Sequence, residues 1–219
     1  MKEGTKVLLV GSGLTAPLAR EFDLTGWTVV VVNNAWQVLP DRWDILLHGA
    51  DFPEDNKPPT ELRDGKKLID PYVWVYEKRK VREHAGFWIH HAGYAKSIMF
   101  TAIWWILENL NPELIGFIGC DMHYPEGNRN TFYGKGTPDP MRHGAAKLLR
   151  WLGFIDGFCV RDDVMLINYS PKESPSMLPF VRGEFPNEKH IGADKYYDGQ
   201  YRTEKEFFKE TVGVNNDEV

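Results

Sequence analysis

Short, wholly apolar runs closed by glycine or asparagine recur along the start of the chain and set the fold class. Lys6-Val7-Leu8-Leu9-Val10 stops at Gly11-Ser12-Gly13, and the apolar spacing over residues 14–22 predicts a helix, with Pro17 tolerable only in its first turn. Trp27-Thr28-Val29-Val30-Val31-Val32 is nearly continuous in its apolar character, as strands covered on both faces of a parallel sheet are, and it ends at Asn33-Asn34. Asp44-Ile45-Leu46-Leu47-His48 predicts a third strand, closed by Gly49-Ala50-Asp51. Strand, tight turn, helix, strand, strand is the opening of an α/β protein with a Rossmann-like, doubly wound and mostly parallel sheet.

Residues 52–65, with Pro53, Pro58 and Pro59, read as a loop, and 71–76 as an extra strand. After Gly93 an apolar helix is expected over 94–110, its Trp104 and Trp105 facing mostly inward, with Asn111-Pro112 ending it. Leu114-Ile115-Gly116-Phe117-Ile118-Gly119 predicts the next buried strand. It opens into a polar and aromatic loop over 120–140, and loops of that length inside a compact domain usually carry function. A helix over 141–152 and a last strand over 164–168 follow. Beyond about residue 180 the chain turns polar and poorly periodic, with Tyr196-Tyr197 and Phe207-Phe208 as anchors, and no internal repeat is visible. The expected organisation is one nucleotide-binding and catalytic domain over 1–180 with an irregular C-terminal tail, 181–219, packed on it.

Composition narrows the partners. The formal net charge of −5 runs against tight nucleic-acid binding, which would need a local patch working against the overall field. At 42% hydrophobic and 26% charged residues the chain is globular, not disordered. Cys120 and Cys159 are too few for a disulfide scaffold and form no Cys-x-x-Cys pair, so a reducing, cytoplasmic setting is expected. The first residues run straight into a strand with no signal-peptide pattern, and the most apolar stretch, 98–110, is shorter than the roughly 20 residues of a membrane span. The 29 aromatic residues suit either a well-filled core or a sugar- or base-stacking site.

Gly11-Ser12-Gly13-Leu14-Thr15-Ala16 fits a loose G-x-G-x-x-[GA] turn after a strand, where backbone N–H groups and a helix start can meet a phosphate. A nicotinamide or flavin site wants an acid at the end of the second strand for the ribose hydroxyls. Asn33-Asn34 stand there, which leaves a different nucleotide or a purely structural turn. No phosphate-cradling G-x-x-x-x-G-K-[ST] run and no metal-bridging Asp-x-Asp occur, and the pairs Asp121 with His123 and His90 with His91 lack further spaced ligands, so no metal site is expected. The chemistry concentrates after the strand at 114–119, in Gly119-Cys120-Asp121-Met122-His123-Tyr124, Thr131-Phe132-Tyr133-Gly134 and Met141-Arg142-His143-Gly144. Tyrosine hydroxyls can donate to a phosphate leaving group, and a histidine can take the proton of an attacking hydroxyl. The plainer alternative makes the tyrosines loop anchors and His143 a residue at a helix start.

Taken in order, these motifs resemble the bacterial sialyltransferases of glycosyltransferase family 42 and the sialyltransferase-like domains related to them. Val10-Gly11-Ser12-Gly13 matches the family's first turn and Val32-Asn33-Asn34 the strand end whose Asn contacts the nucleotide. His91-Ala92-Gly93-Tyr94 matches the helix start, Gly119 to Tyr124 the acid-tyrosine turn, Phe132-Tyr133 the loop, and His143 the base. Leu166-Ile167-Asn168-Tyr169-Ser170-Pro171-Lys172-Glu173-Ser174 closes the series, so the resemblance covers roughly residues 6–180. The chain departs from the family at Ser12, where Asn is usual, and at Ala92, where Ser is usual. Tyr124 also follows Asp121 by three residues instead of two, so His123 or Tyr124 takes the tyrosine's place.

The resemblance implies metal-independent transfer of a sugar from a CMP- or UDP-linked donor, with no cofactor beyond that nucleotide-sugar co-substrate. His143 would deprotonate the acceptor, and Tyr124 and Tyr133, beside Asp121, would stabilise the departing phosphate. Gly11, Ser12, Gly13, Asn33, Asn34, Gly93, Gly119 and Cys120 would hold the donor. Residues 52–92 would form a lid on the acceptor side. The acceptor is left as a glycan, a small molecule or a modified base, the last served by Lys78-Arg79-Lys80 with Arg82; a homo-oligomer is compatible with all of this. A pterin or nucleotide pyrophosphokinase, and a non-catalytic nucleotide-binding protein, stand as alternatives on the same fold.

Overall fold

The computed structural model describes residues 4–71, 73, 98–122, 131–133, 164–174, 176 and 178–186. Seven strands form one sheet: β1 (Lys6–Val10), β2 (Trp27–Val32), β3 (Ile45–Leu47), β4 (Lys67–Ile69), β5 (Leu114–Ile118), β6 (Met165–Asn168) and β7 (Val181–Arg182). Their order is β4-β3-β2-β1-β5-β6-β7, and every neighbouring pair runs parallel. With β4 set aside as an added edge, this is the strand order of the doubly wound nucleotide-binding folds, so the chain is α/β and Rossmann-like.

The continuous apolar runs are explained by two buried faces. Val7, Leu9, Val30, Val32, Ile115 and Phe117 pack in one cluster with α1 (Ile98–Leu110), which contributes Phe100, Ile103, Ile106 and Leu107. The alternate residues Leu8, Val10, Val29, Val31, Ile118 and Ile167 pack with Ala16, Ala19, Ala35, Val38, Leu39 and Trp43. Trp105 is buried and Trp104 partly buried against the first cluster, in line with the inward expectation for this pair. Among the described residues no helix is long and apolar enough to cross a membrane.

Three expectations change. The helix over 14–22 is a six-residue 3₁₀ turn, Ala16–Glu21; the Thr15 side chain turns away to Asp121 instead of capping it, and Phe22 is already extended. An unforeseen second 3₁₀ turn, Asn33–Val38, follows β2. The edge strand is Lys67–Ile69, not 71–76: Pro71 and Val73 are helical, and proline, lacking an N–H for a ladder, suits a helix start better than a strand. The chain after residue 180 adds β7 to the sheet and stacks Phe185 on Phe22, ring centroids 4.0 Å apart and ring planes nearly parallel. The expected helix over 141–152, residues 72 and 74–92 of the lid over 52–92, and the tail beyond 186 lie outside the described residues.

Tyr169 lies edge-on to Phe22 and Trp27, and its ring covers Gly116 of β5 so closely that a Cβ there would overlap ring carbon. Gly116→Ala should therefore cost about 1–3 kcal/mol by overpacking, read as a lower urea midpoint at unchanged slope.

Candidate functional site

In a doubly wound sheet ligands bind beyond the carboxyl ends of the strands where the order reverses, here between β1 and β5. The two ends are tied together. Gly11 N–H donates to the Ile118 carbonyl at 2.8 Å and Gly13 N–H to the Gly119 carbonyl at 2.6 Å. A side chain on Gly11 would overlap the Gly119 carbonyl, and one on Gly13 the Asp121 carboxylate. Gly119 itself is left-handed, with φ +67°, and faces Ala16. The G-x-G spacing thus serves close approach of two strand ends, and both glycine N–H groups are engaged. What the turn can still offer an anion is the Ser12 N–H and hydroxyl, which bond nothing among the described residues.

Above this junction lies a cavity of about 370 Å³. It brings together Gly11, Ser12, Gly13, Asn33, Asn34, Gly119, Cys120, Asp121 and Tyr133, nine of the residues singled out from sequence. Gly93, Tyr124 and His143 lie outside the described residues. Residues given no site role from sequence also line it: Asp51 and Phe52 after β3, Asn56, Met122 and Thr131. The loop carrying Asn56 is held by the Trp36 indole N–H, which donates to the Asn56 carbonyl at 2.8 Å. Phe52 tilts against His48, ring centroids 5.8 Å apart. Met122 and Thr131 belong to the polar stretches after the strand at 114–119, and Phe52 and Asn56 to the expected lid, but nothing in a single sequence shows that they meet at one cavity with Asp51, because only the ends of the neighbouring strands bring them there.

Asn33 leaves β2 in the left-handed region at φ +48°, a conformation asparagine tolerates far better than branched residues do. The side-chain carbonyl oxygens of Asn33 and Asn34 are both buried and meet no hydrogen-bond donor among the described residues. Leaving such a group unsatisfied costs about 1–3 kcal/mol, so both amides, on residues that line the cavity, gain free energy if they turn to meet a ligand's N–H or O–H groups.

Asp121 is 6% exposed, and its carboxylate accepts from the hydroxyls of Thr15 and Ser170, both at 2.8 Å. Among the described residues no cation pairs with it. Met122, the next residue, is left-handed at φ +55°, unusual for a side chain of its size. Tyr133 stands 42% exposed at the cavity, edge-on to Phe132 at 5.0 Å, free to meet a ligand.

Cys120 is buried with its thiol directed at the Leu9 carbonyl, 3.8 Å away. Desolvation, reinforced by the neighbouring Asp121 charge, pushes this thiol well above the ordinary value of 9.0. In a Cys159→Ser variant the remaining thiol should resist iodoacetamide at pH 8 in the native protein and react fully in denaturant. The sign for stability follows: as pH rises through 9.0 the unfolded thiol ionises while the folded one stays neutral, so Cys120 lowers stability in alkali, and Cys120→Ala should flatten that part of the pH profile.

No family model and no curated protein sequence matches the chain. Among solved structures, an X-ray structure of the alpha-2,3/8-sialyltransferase CstII, in a mutant form, aligns with a TM-score of 0.40 at 13% sequence identity, covering 85% of this chain and 90% of that one.

Proposed function

We propose that the protein transfers a sugar from a nucleotide-activated donor, CMP- or UDP-linked, without a metal ion. The observation that carries this reading is the pair of buried, unsatisfied amide oxygens of Asn33 and Asn34 beside the strand-order reversal. A nucleoside offers the N–H and O–H donors they lack, and Phe52 and Tyr133 add ring surface to the same cavity. The order of motifs in the sequence supports the assignment of roles. The acceptor hydroxyl gives its proton to His143 as its oxygen bonds to the anomeric carbon. The bond from that carbon to the phosphate oxygen breaks, and the hydroxyls of Tyr133 and Tyr124 hydrogen-bond the departing phosphate, as a metal ion would elsewhere.

Thermal unfolding with cytidine or uridine monophosphate tests the donor site. Ligand at a hundred times its Kd should raise Tm by about 5–10 °C for a chain of this size, and Asn33→Ala with Asn34→Ala should remove most of that shift. His143→Ala should keep the shift and lose transfer by about a hundredfold or more, with wild-type transfer unaffected by EDTA. A wild-type protein that is stabilised by no nucleoside phosphate or nucleotide sugar overturns the reading.

A further inference from the structure

We infer that Thr15 and Ser170, with Asp121 between them, are positioning residues that set where Tyr133 stands in the cavity, and that Asp121 acts through this clamp and not on the reacting atoms. The inference rests on the reading of the cavity as a nucleotide-sugar site in which Tyr133 meets the leaving phosphate.

The hydrogen-bond directions leave little freedom. Thr15 Oγ1 accepts the Gly119 N–H at 3.0 Å, so its own proton points to Asp121, whose oxygens lie 2.8 and 3.0 Å away. Ser170 Oγ donates to the same Oδ1 at 2.8 Å, and the Thr15 backbone N–H reaches Oδ2 at 3.3 Å. Segments leaving β1, β5 and β6 thereby meet on one carboxylate. Ser170 is fixed in turn: its N–H donates to Asn168 Oδ1 at 3.0 Å, and its carbonyl accepts from Arg182 at 2.9 Å. Burying an anion without a cation is costly, and a neutral amide would cost less. What the carboxylate adds is acceptance on two oxygens at once, where an asparagine in its place has one. With donors already on both oxygens, Asp121 is occupied as a structural acceptor.

The clamp reaches Tyr133 through the turn it closes. The Ser12 carbonyl, between the two engaged glycines, accepts the Phe132 N–H at 3.1 Å. The Phe132 ring packs against the cluster that holds Leu8 and Val10, and Tyr133 stands edge-on to that ring. A turn that loosens at Thr15 therefore shifts Ser12, Phe132 and the Tyr133 hydroxyl together, and it releases the left-handed backbone of Met122 that follows Asp121.

Amide hydrogen exchange on the full chain reads the clamp with no ligand present. In Thr15→Val the Gly119 and Phe132 amides should exchange about tenfold faster, those of Leu8 and Leu9 should stay unchanged, and Thr15→Ser should restore the wild-type rates. Ser170→Ala, a milder change than any at Asp121, should act in the same direction. In turnover of a CMP-linked donor, Thr15→Val should lower kcat about tenfold with KM within about twofold, because a phosphate stabiliser acts in the transition state. Adding Asp121→Asn to Thr15→Val should cost much less than the two single losses combined. Unchanged Phe132 exchange in Thr15→Val, or a loss of stability with kcat intact, overturns the inference. If wild-type protein turns over no nucleotide sugar, it is the reading of the site that fails, and the exchange rates alone then decide whether the clamp holds Phe132.

Discussion

The contact that the rest of the structure depends on is the one between the carboxyl ends of β1 and β5, where two backbones touch with no Cβ between them. A parallel sheet must send its chain back through crossovers, and where the strand order reverses those crossovers leave in opposite directions. Here the two ends do not part at once. Hydrogen bonds from Gly11 and Gly13 carry the pairing past the last strand residues to the Gly119 carbonyl, which three glycines make sterically possible. The cavity opens only beyond that seam. Its walls are made by residues that turn the chain sharply, the left-handed Asn33 after β2 and Met122 after β5.

The seam is stiff because both faces of the sheet beneath it are filled. Leu8, Leu9, Val10 and Ile118 have no exposed surface, and burying a side chain of this size is worth about 1.5–3 kcal/mol. Close-packed surroundings resist displacement, so the position of the turn at 11–15 is decided by a few polar contacts on top of a rigid base. Those contacts converge on Asp121. Packing supplies the platform, and one carboxylate supplies the register of what stands on it.

The sheet was legible because strands buried on both faces read as unbroken apolar runs, and β1, β2, β5 and β6 are of that kind. The two-residue β7 has no such signature, and β4, half exposed at the edge, has only a weak one. The helical spacing after Gly13 was real in the pattern but was overridden by tertiary contacts, since the hydroxyl that would cap a helix at Thr15 is drawn to Asp121, 106 residues away. The G-x-G motif has the sequence form of a phosphate-binding turn, and in the structure it serves the close approach of two strand ends. Asn33 and Asn34 were legible from their place at a strand end. Thr15 and Ser170 were not, because a hydroxyl in a turn carries no sign of the distant acid it will meet.

On the proposed reading, the asparagines at the end of β2 do what an acid could not. A carboxylate only accepts hydrogen bonds, which suits ribose hydroxyls, whereas each side-chain amide both accepts and donates and so can match the alternating N–H and C=O edge of a base. An amide is also neutral, and a donor joined through phosphate brings its own negative charge into the cavity. An added acid at β2 would repel that charge at low dielectric, where two unit charges interact several times more strongly than in water. Of the two acids that line the cavity, Asp51 and Asp121, the latter already faces donors from Thr15 and Ser170. Its field at the cavity is partly offset by those dipoles, and among the described residues the Ser12 N–H and hydroxyl and the Tyr133 hydroxyl can meet an anion. On that reading such a site would hold a phosphate with oriented dipoles, which would let the phosphate leave once the sugar has been transferred.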